Sequence, residues 1–394
     1  MAKSKKEKPT SDGKRKKQRA IKVRIYPTPE QETLIRKTFG CCRFYWNHAL
    51  EDEQEFYAAT NKHFIPTSAK YKTTYPFLKE VDSLALANTQ LDLNTAFSRF
   101  FNKAGGAKYP RFKSKKKSRK SYTTNCQYPN SKATIWTNGK GIKLPILGFV
   151  LGKMHRKPPE NWVLKNATVS QSASGKYFCA ICYEIVEDMP AELEPTIETT
   201  IGLDYSSPHF YVDDEGHSPE IPHWHRASED KLAKEQRRLS HMKYGSKNYE
   251  QQKKKVSLIH EKVANQRNDF LHKESLRIAN AYSVVCVEDI DLRGLSGSLH
   301  LGKSTMDNGF GKFRVMLRYK LEDRGKRYVV IDKWYPSTKT CSACRVINPE
   351  VVLGIEEWTC PACGTHHLRD KNGATNIKNE GFATLVKELG HSVT

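Results

Sequence analysis

The segment CSACRVINPEVVLGIEEWTCPACGTHHLRDKNGATNI, residues 341–377, sets the architecture of the C-terminal half of this chain. It contains two Cys-x-x-Cys pairs with fifteen residues between them. Two cysteines at this spacing in a tight turn direct both sulfurs at one centre, and two such turns complete a tetrahedron of thiolates. Four protein ligands leave no position for water, so a zinc ion held in this way is structural. The pattern predicts a zinc ribbon at 341–363 whose ligands are Cys341, Cys344, Cys360 and Cys363.

Three aromatic side chains near these cysteines are candidates for contact with the metal site. Trp358 lies two residues before the second pair, and we expect it to pack on the metal-binding turn. His366 and His367 follow the second pair, but four thiolates already satisfy a tetrahedral zinc ion. We therefore do not count the two histidines as ligands.

A third Cys-x-x-Cys pair, Cys179 and Cys182, has no partner pair nearby in the sequence. It lies within YFCAICYEI, residues 177–185, an apolar run of β-prone residues. Such a run is typical of a buried strand, so we interpret these two cysteines as structural and buried rather than metal-binding.

Three acidic residues stand where a strand ends or a helix begins. Asp204 ends the apolar run TIGLD, Glu288 ends SVVCVE, and Asp370 opens a predicted helix beginning DKNGATNIKN. Carboxylates at strand ends of an α/β sheet can converge on one edge. Three convergent carboxylates repel one another unless divalent cations neutralise them, which implies Mg²⁺ or Mn²⁺. Two such ions can activate water for phosphodiester cleavage.

Each of these acids also has a simpler interpretation. Asp204 is compatible with a turn former and Asp370 with a helix cap, while Glu288 competes with Asp289 and Asp291 beside it. The residues alone leave both interpretations open.

The composition points to a polyanionic partner. The chain has 394 residues, 38% of them hydrophobic, with a formal net charge of +23 and a pI near 9.5. This length suggests two to four domains. Nucleic acid and an anionic membrane surface are the candidate partners. No apolar run of ~18 residues or signal-peptide stretch is visible, so we expect a soluble intracellular protein whose cysteines are reduced.

The N-terminal half begins with a lysine-rich stretch. We expect a disordered basic tail at 1–20, a strand from residue 21, and a helix beginning near Thr28 with a capping box. The helical region should run to about residue 104. The basic block at 105–120 interleaves cations with Tyr109 and Phe112, either of which could stack on a base.

The remaining segments alternate between strand and helix patterns. Short strands are expected at 121–190, followed by a linker at 191–200 and strands at 200–204 and 209–212. Two long helical stretches with cationic faces follow the second of these strands. This order indicates an α/β multidomain protein.

At this point the chain resembles a known family, TnpB. GLD at 202–204, VED at 287–289 and HLRDKNGATNI at 367–377 are similar to its three RuvC nuclease motifs, with the zinc ribbon between the second and third. Residues 24–50 resemble its N-terminal signature. QRRLSHMKYGSKNY, NQRNDFLHKES and STMDNGFGKFRVMLRYK resemble further family segments, so the similarity covers roughly residues 20–380. One departure is Leu368, where the family commonly has aspartate.

The resemblance implies a fold and its boundaries. It implies a β-barrel wedge domain at 21–190 with a helical recognition insert at about 30–104, and an RNase H-like RuvC domain at 191–340 with a helical insert. The zinc ribbon would bind target nucleic acid, 364–380 would complete the RuvC domain, and 381–394 would be a C-terminal tail. The resemblance also implies that Asp204, Glu288 and Asp370 hold the catalytic metals.

The resemblance implies a function as well. Members of the family bind a guide RNA transcribed from the transposon end and cleave double-stranded DNA beside a short transposon-adjacent motif. Base pairing supplies the sequence specificity in such complexes. We therefore expect a monomeric ribonucleoprotein in the prokaryotic cytoplasm, associated with the nucleoid and not with a membrane.

Two alternatives belong to other functional classes. One is a nuclease-inactive, RNA-guided DNA-binding repressor. The presence of all three acids argues against this alternative. The other is a transposase or its accessory factor. Strand transfer in this transposon group belongs to a separate tyrosine-dependent enzyme, and no Tyr–His constellation stands out in this chain.

Overall fold

The computed structural model describes residues 13–128, 132–291, 308–352 and 354–390. The chain divides into two units, Met1–Asp188 and Met189–Thr394. Both contain helices and strands, so the α/β class expected from the sequence is confirmed. No helix in the described ranges is long and apolar enough to cross a bilayer.

The first unit is built on an antiparallel sheet of seven strands in the order β2-β6-β7-β1-β5-β4-β3. Its strands are β1 Lys14–Tyr26, β2 Ser121–Asn125, β3 Trp136–Asn138, β4 Gly141–Leu144, β5 Gly148–Gly152, β6 Val163–Gln171 and β7 Tyr177–Asp188. Strand β7 is buried at every second residue through Ile185, as a strand with one face on a core should be. The expectation of short strands over 121–190 is confirmed.

Three α-helices lie between β1 and β2 in the chain, together with short 3-10 helices at Pro76–Lys79 and Ala104–Gly106. The α-helices are α1 Pro29–Thr60, α2 Ala69–Lys72 and α3 Ser83–Phe101. The expected capping box is present, since Thr28 Oγ1 accepts from the Gln31 amide and the Gln31 side chain accepts from the Thr28 amide. The apolar faces of α1 and α3 share one core with the sheet, through residues such as Ile35, Leu93 and Val23.

The expected disordered tail is wrong for the residues from Lys14 onward. Strand β1 begins there and pairs with β7 over twelve residues, from Lys14 with Asp188 to Ile25 with Tyr177. The cations are accommodated because Arg15 Nε donates to Glu187 Oε1 at 2.8 Å, and Lys17 pairs with the same carboxylate. Backbone pairing with the distant strand β7 therefore orders this stretch, although its composition alone would not predict order. Residues 1–12 lie outside the described ranges.

The basic block at 105–120 is docked on helix α1. The Trp46 indole donates to the Arg111 carbonyl at 3.0 Å, and Asn47 exchanges two hydrogen bonds with the backbone of Lys113. Tyr109 donates its hydroxyl to the buried Glu53 at 3.0 Å, so its polar end is used within the fold. Of the two aromatic residues proposed to stack on a base, Phe112 is the more exposed, at 56%.

The Cys179–Cys182 pair lies in strand β7, as interpreted. Cys179 is fully buried, while the Cys182 sulfur is half-buried and lies 3.8 Å from Gln18 Oε1. Because they are three residues apart in a strand, their side chains point to opposite faces, and the two faces differ in burial. The two cysteines therefore form neither a turn nor a shared metal site. The burial expected for both is therefore correct for Cys179 and only partial for Cys182.

The second unit is organised around a four-stranded sheet in the order β11-β10-β8-β9. β8, β10 and β11 are parallel, and β9 is antiparallel to β8. The elements are β8 Thr200–Ser206, β9 Phe210–Asp213, α4 Trp224–Ser240, α5 Lys247–Ala281, β10 Val284–Glu288, α6 Phe310–Glu322, β11 Arg327–Ile331, β12 Glu357–Thr359, β13 His366–Leu368 and α7 Arg369–Glu388.

Two apolar clusters bury the β8–β10–β11 strands. One contains Leu271 of α5 and Phe313 of α6, together with Leu203. The other contains Ile377 and Leu385 of α7 with further strand residues. Because both faces of the parallel strands are covered, their sequences are continuous apolar runs.

The expected C-terminal tail at 381–394 is wrong for its first half. Helix α7 continues to Glu388, and Leu385 is buried in the cluster that also contains Ile331. Contact with the sheet orders this stretch, and the sequence alone does not reveal that contact. Residues 391–394 lie outside the described ranges.

Gly202 allows α7 to lie directly on β8. An added Cβ at Gly202 would stand 2.0 Å from the Ala374 carbonyl oxygen and 2.7 Å from the Lys378 amide nitrogen, and both are backbone atoms of α7. Neither can move without shifting the helix. Packing of this kind tolerates no side chain.

We expect Gly202→Ala to destabilise the second unit by about 3 kcal/mol or more, because the methyl group would displace α7. Thermal and urea unfolding measure the change. Gly40→Ala is the matched control: a Cβ at this position of α1 meets no atom within 4 Å. It should leave stability unchanged or raise it by up to about 1 kcal/mol, since alanine is the better helix former. Equal stability of Gly202→Ala and wild type would contradict the packing argument.

Candidate catalytic and metal-binding sites

The ends of two neighbouring strands place Asp204 beside Glu288. Strands β8 and β10 are parallel, and their register pairs Leu203 with Val287. The next residue on each strand is the acid, so the two carboxylates stand side by side on the same face of the sheet. The strand-end positions expected from the sequence are thus brought together.

Helix α7 brings the third acid to this place. Asp370 is its second residue, and Gly373 is its fifth, three positions later on the same side of the helix. A Cβ added at Gly373 would stand 2.7 Å from Asp204 Oδ2, so the start of α7 lies directly against that carboxylate. Arg369 donates to Asp370 Oδ1 from Nε at 3.0 Å and from Nη2 at 2.8 Å.

Two of the acids act electrostatically on the third, Asp204. Burial, followed by the negative charges of Asp370 and Glu288, raises the pKa of Asp204 well above its ordinary value. Burial also raises the pKa of Glu288, against the lowering effect of Arg314. The Arg314 guanidinium lies 3.8 Å from Asp289, the competing acid next in sequence. Arg314 therefore lies near both acids of this strand end, and of the two it is Glu288 whose charge acts on Asp204.

The chemistry of this cluster fits hard divalent cations. A buried carboxylate with two acidic neighbours is unfavourable in water-free surroundings unless a positive charge offsets it. Carboxylate oxygens are the donors that Mg²⁺ and Mn²⁺ prefer. The oxygens of Asp204, Glu288 and Asp370 do not all lie within 4.8 Å of one another, whereas the sulfurs of the four cysteines at 341–363 do.

The second cluster contains the four cysteines. One sulfur from each of them lies within 4.8 Å of all the others, and within the described ranges this is the tightest group of potential metal ligands. The sulfurs of Cys341 and Cys363 are 3.6 Å apart, as are those of Cys344 and Cys360. Four sulfurs at such separations fit a closed tetrahedral site. The convergence predicted from the spacing is confirmed.

The two histidines near the cysteines differ from each other. His367 is buried, its Nε2 lies 3.1 Å from the Cys341 sulfur, and its ring packs on Trp358 with centroids 4.7 Å apart. His366 is exposed and lies 3.4 Å from the Glu357 carboxylate. Trp358 is buried against the cysteine turns, as expected. His367 thus contacts a ligand sulfur without belonging to the four-sulfur group.

Two asparagines join α7 to the chain leading into the first cysteine turn. Asn372 donates to the Thr340 carbonyl at 2.8 Å and accepts from the Ser342 amide at 2.9 Å. Asn376 donates to the carbonyls of Ser337 and Thr340 at 2.8 and 2.6 Å. Both side chains are buried. The helix that carries Asp370 and the first cysteine turn are therefore one hydrogen-bonded body.

Sequence reasoning missed these supporting residues. The signal was present for Asn372 and Asn376, since two amides four residues apart share one face of a helix. Gly202 opens the GLD motif, and its missing side chain is the signal available there. For His367 the sequence shows only its position after the second cysteine pair, while its burial and its 3.1 Å contact with Cys341 come from the fold.

Three family models match the chain. The OrfB family of IS605, described as "Probable transposase", matches residues 180–299. Its helix-turn-helix domain model matches 17–62, which the structure forms as β1 and α1. The Cas12f1-like TNB domain matches 310–377, which spans α6, β11 and the cysteine cluster.

Whole-chain relatives and a solved structure agree with these matches. A Streptomyces pristinaespiralis protein is 34% identical over 93% of this chain and 90% of its own length, and Escherichia coli K12 InsQ is 30% identical over 94% of each. Both have names that describe an RNA-guided DNA endonuclease. A Cas12f1–sgRNA–target DNA complex shares the fold, with TM-score 0.57, 12% identity and coverage of 92% of this chain and 99% of that chain. The chain therefore belongs to the TnpB family of insertion-sequence proteins.

Proposed function

We propose that this protein is an RNA-guided DNA endonuclease of an insertion sequence, which cleaves guide-matched DNA beside a short transposon-adjacent motif. The observation that carries the proposal is the arrangement around the buried Asp204: strand pairing aligns Glu288 with it, and the start of α7, which carries Asp370, lies against it. Family membership and the net charge of +23 support a nucleic-acid substrate.

The domain assignment follows from the same proposal. The first unit would contain the wedge domain, from about 21–190, with its helical recognition insert. The second would be the RuvC-type nuclease domain, RNase H-like in fold, interrupted by the zinc ribbon at 341–363. The parallel β8–β10–β11 strands with α7 against them support this assignment.

The three carboxylates would hold Mg²⁺ or Mn²⁺. Such ions, when bound, stabilise the attacking and leaving oxygens of phosphodiester hydrolysis. The chain positions the ligands: the sheet register aligns Asp204 with Glu288, and Arg369 orients Asp370. Burial of Asp204 keeps water away from its carboxylate and strengthens its attraction for cations.

The four cysteines would hold a structural Zn²⁺, and the ribbon would contact the target nucleic acid. The guide RNA, from the transposon end, would be bound by the chain as a monomeric ribonucleoprotein. The protein would act in the prokaryotic cytoplasm, associated with the nucleoid, and its relatives from Streptomyces and Escherichia support the prokaryotic part of this setting. Two nucleic acids bound at once would account for the high positive charge.

A cleavage assay tests the proposal. The protein is purified with RNA from the 3′ end of its own element and offered plasmid libraries with a matched target, randomised flanks and Mg²⁺. We expect cutting that requires the guide match and a defined flank, and that is lost in Glu288→Gln. Guide-dependent binding without cutting by the wild type would overturn the nuclease and favour the repressor.

His367 should tune the zinc site without being a ligand. A zinc-bound thiolate only accepts hydrogen bonds, so His367 Nε2 at 3.1 Å from the Cys341 sulfur would be the donor. We expect His367→Ala to lose zinc to a chelator about 10- to 100-fold more readily. A colorimetric zinc-release assay measures this. The matched control His366→Ala, which removes the exposed neighbour, should behave as wild type, and equal release from both variants would contradict the role.

A further inference from the structure

Trp334 is exposed to solvent three residues after Ile331, the register partner of Glu288. Its side chain is 79% exposed, more than any other exposed large apolar side chain in the described ranges. Exposure of one apolar residue does not by itself mark a site, so the case for Trp334 depends on its surroundings. The proposed function assigns no task to it.

The backbone that carries the ring is well held. The Trp334 amide donates to Asp332 Oδ1 at 2.7 Å, and the Tyr335 amide donates to the Asp332 carbonyl at 3.2 Å. Further along, the Thr340 amide and hydroxyl both donate to the Pro336 carbonyl. The indole thus projects from an ordered turn rather than from a loose loop.

A cation stands over one face of the indole. Lys333 Nζ lies 4.5 Å from the Trp334 ring centroid. An aromatic ring beside a cation is the combination that binds single-stranded nucleic acid, in which the ring stacks on a base and the cation meets a phosphate. The exposed indole leaves room for such a base.

The turn is connected to the carboxylates at both of its ends. Upstream, Ile331 is the register partner of Glu288 in the parallel sheet, three residues before the ring. Downstream, Thr338 Cγ2 and Asp204 Oδ2 both lie within 3.2 Å of the position that a Gly373 Cβ would take. Trp334 Cα is therefore at most ~16 Å from that of Glu288, which is within reach of a few nucleotides.

We propose that Trp334 is a stacking platform for an unpaired base of the DNA strand that enters the carboxylate site. Lys333 pairs with a phosphate of the same strand. The platform fixes the strand after the duplex has opened, so it affects the cleavage step rather than target binding. This inference rests on the proposed function, because it names the form of DNA that the site receives.

The test uses the full chain bound to its guide RNA. Targets carry 2-aminopurine at successive positions of each strand around the cut, and Ca²⁺ replaces Mg²⁺ to hold the DNA intact. Wild type should quench the fluorescence at one position, and Trp334→Ala should restore it. In Mg²⁺, Trp334→Ala should cut about tenfold more slowly in single turnover at saturating complex, with unchanged target binding.

Two variants separate stacking from loss of structure. Trp334→Phe keeps an aromatic face and should retain both quenching and rate. Trp136→Ala removes another exposed tryptophan, 40% accessible and in the first unit, and should leave both readouts unchanged. Equal quenching and equal rates for Trp334→Ala and wild type would overturn the platform and leave the nuclease standing. Absence of cutting by the wild type would overturn the proposed function, and the Ca²⁺ fluorescence would then still decide the platform.

Discussion

Asp204→Asn will abolish cleavage of guide-matched DNA while raising the melting temperature of the metal-free protein at neutral pH. Asparagine has nearly the same shape but cannot supply the negative oxygen donors that Mg²⁺ prefers. Loss of this ligand should slow cleavage by about a thousandfold or more, since bound metal supplies several kcal/mol of transition-state stabilisation. Single-turnover cleavage and calorimetry on one preparation measure both effects.

The expected gain in stability follows from the raised pKa of Asp204. A carboxyl group that is more basic in the folded protein than in the unfolded chain costs stability wherever it is ionised. The difference between wild type and Asp204→Asn should vanish below pH 3.8, the ordinary value, and grow as the pH rises to the raised pKa. Added Mg²⁺ should stabilise wild type and leave the variant unaffected.

Asp214 provides a contrast within the same unit. Its carboxylate pairs with Lys378 at 2.8 Å and accepts from the Gly202 amide at 3.1 Å. Asp214→Asn should therefore lower the melting temperature, the opposite sign to Asp204→Asn. A wild-type level of cleavage by Asp204→Asn, or a lowered melting temperature, would contradict the assignment of Asp204 as a metal ligand.

Removal of the structural zinc should disable the nuclease as well as the ribbon. We expect Cys344→Ser to lose the bound zinc and with it most of the folding free energy of the ribbon, which is about 10 kcal/mol or more in small zinc domains. Because Asn372 and Asn376 tie the first cysteine turn to α7, the loss should reach Asp370. Metal analysis and amide hydrogen exchange across 341–377 measure this, alongside cleavage.

Cys182→Ser is the control for this experiment. It alters the other Cys-x-x-Cys pair, in which the half-buried Cys182 sulfur lies 3.8 Å from Gln18 Oε1 in strand β1. Zinc content and cleavage should remain those of wild type. Full zinc content in Cys344→Ser, or exchange that increases in the ribbon but not at the start of α7, would refute the coupling between the two sites.

Local sequence patterns predicted the elements of both sites. The Cys-x-x-Cys spacing identified four sulfurs that the fold does gather, because each pair needs only its own turn to direct two sulfurs at one point. The apolar runs before Asp204 and Glu288 identified two strands, which the structure forms as parallel neighbours buried on both faces. The capping box identified the start of α1.

Long-range contacts explain where the sequence failed. The composition of Lys14 to Ala20 predicts a disordered tail because no neighbouring segment pairs with them. The Glu187 that pairs with Arg15 is 172 residues away in the sequence. The hydrogen bond from the Tyr109 hydroxyl to Glu53 likewise joins residues 56 positions apart.

The amino-acid sequence by itself determined the ligand types, the order of the motifs and the charge that favours nucleic acid. The tertiary structure decided which acids meet, because that depends on the register of β8 with β10 and on a glycine that admits α7. It also decided that Trp334 remains exposed. A residue carries its chemistry wherever it stands, but its neighbours are set by packing between segments far apart in the chain.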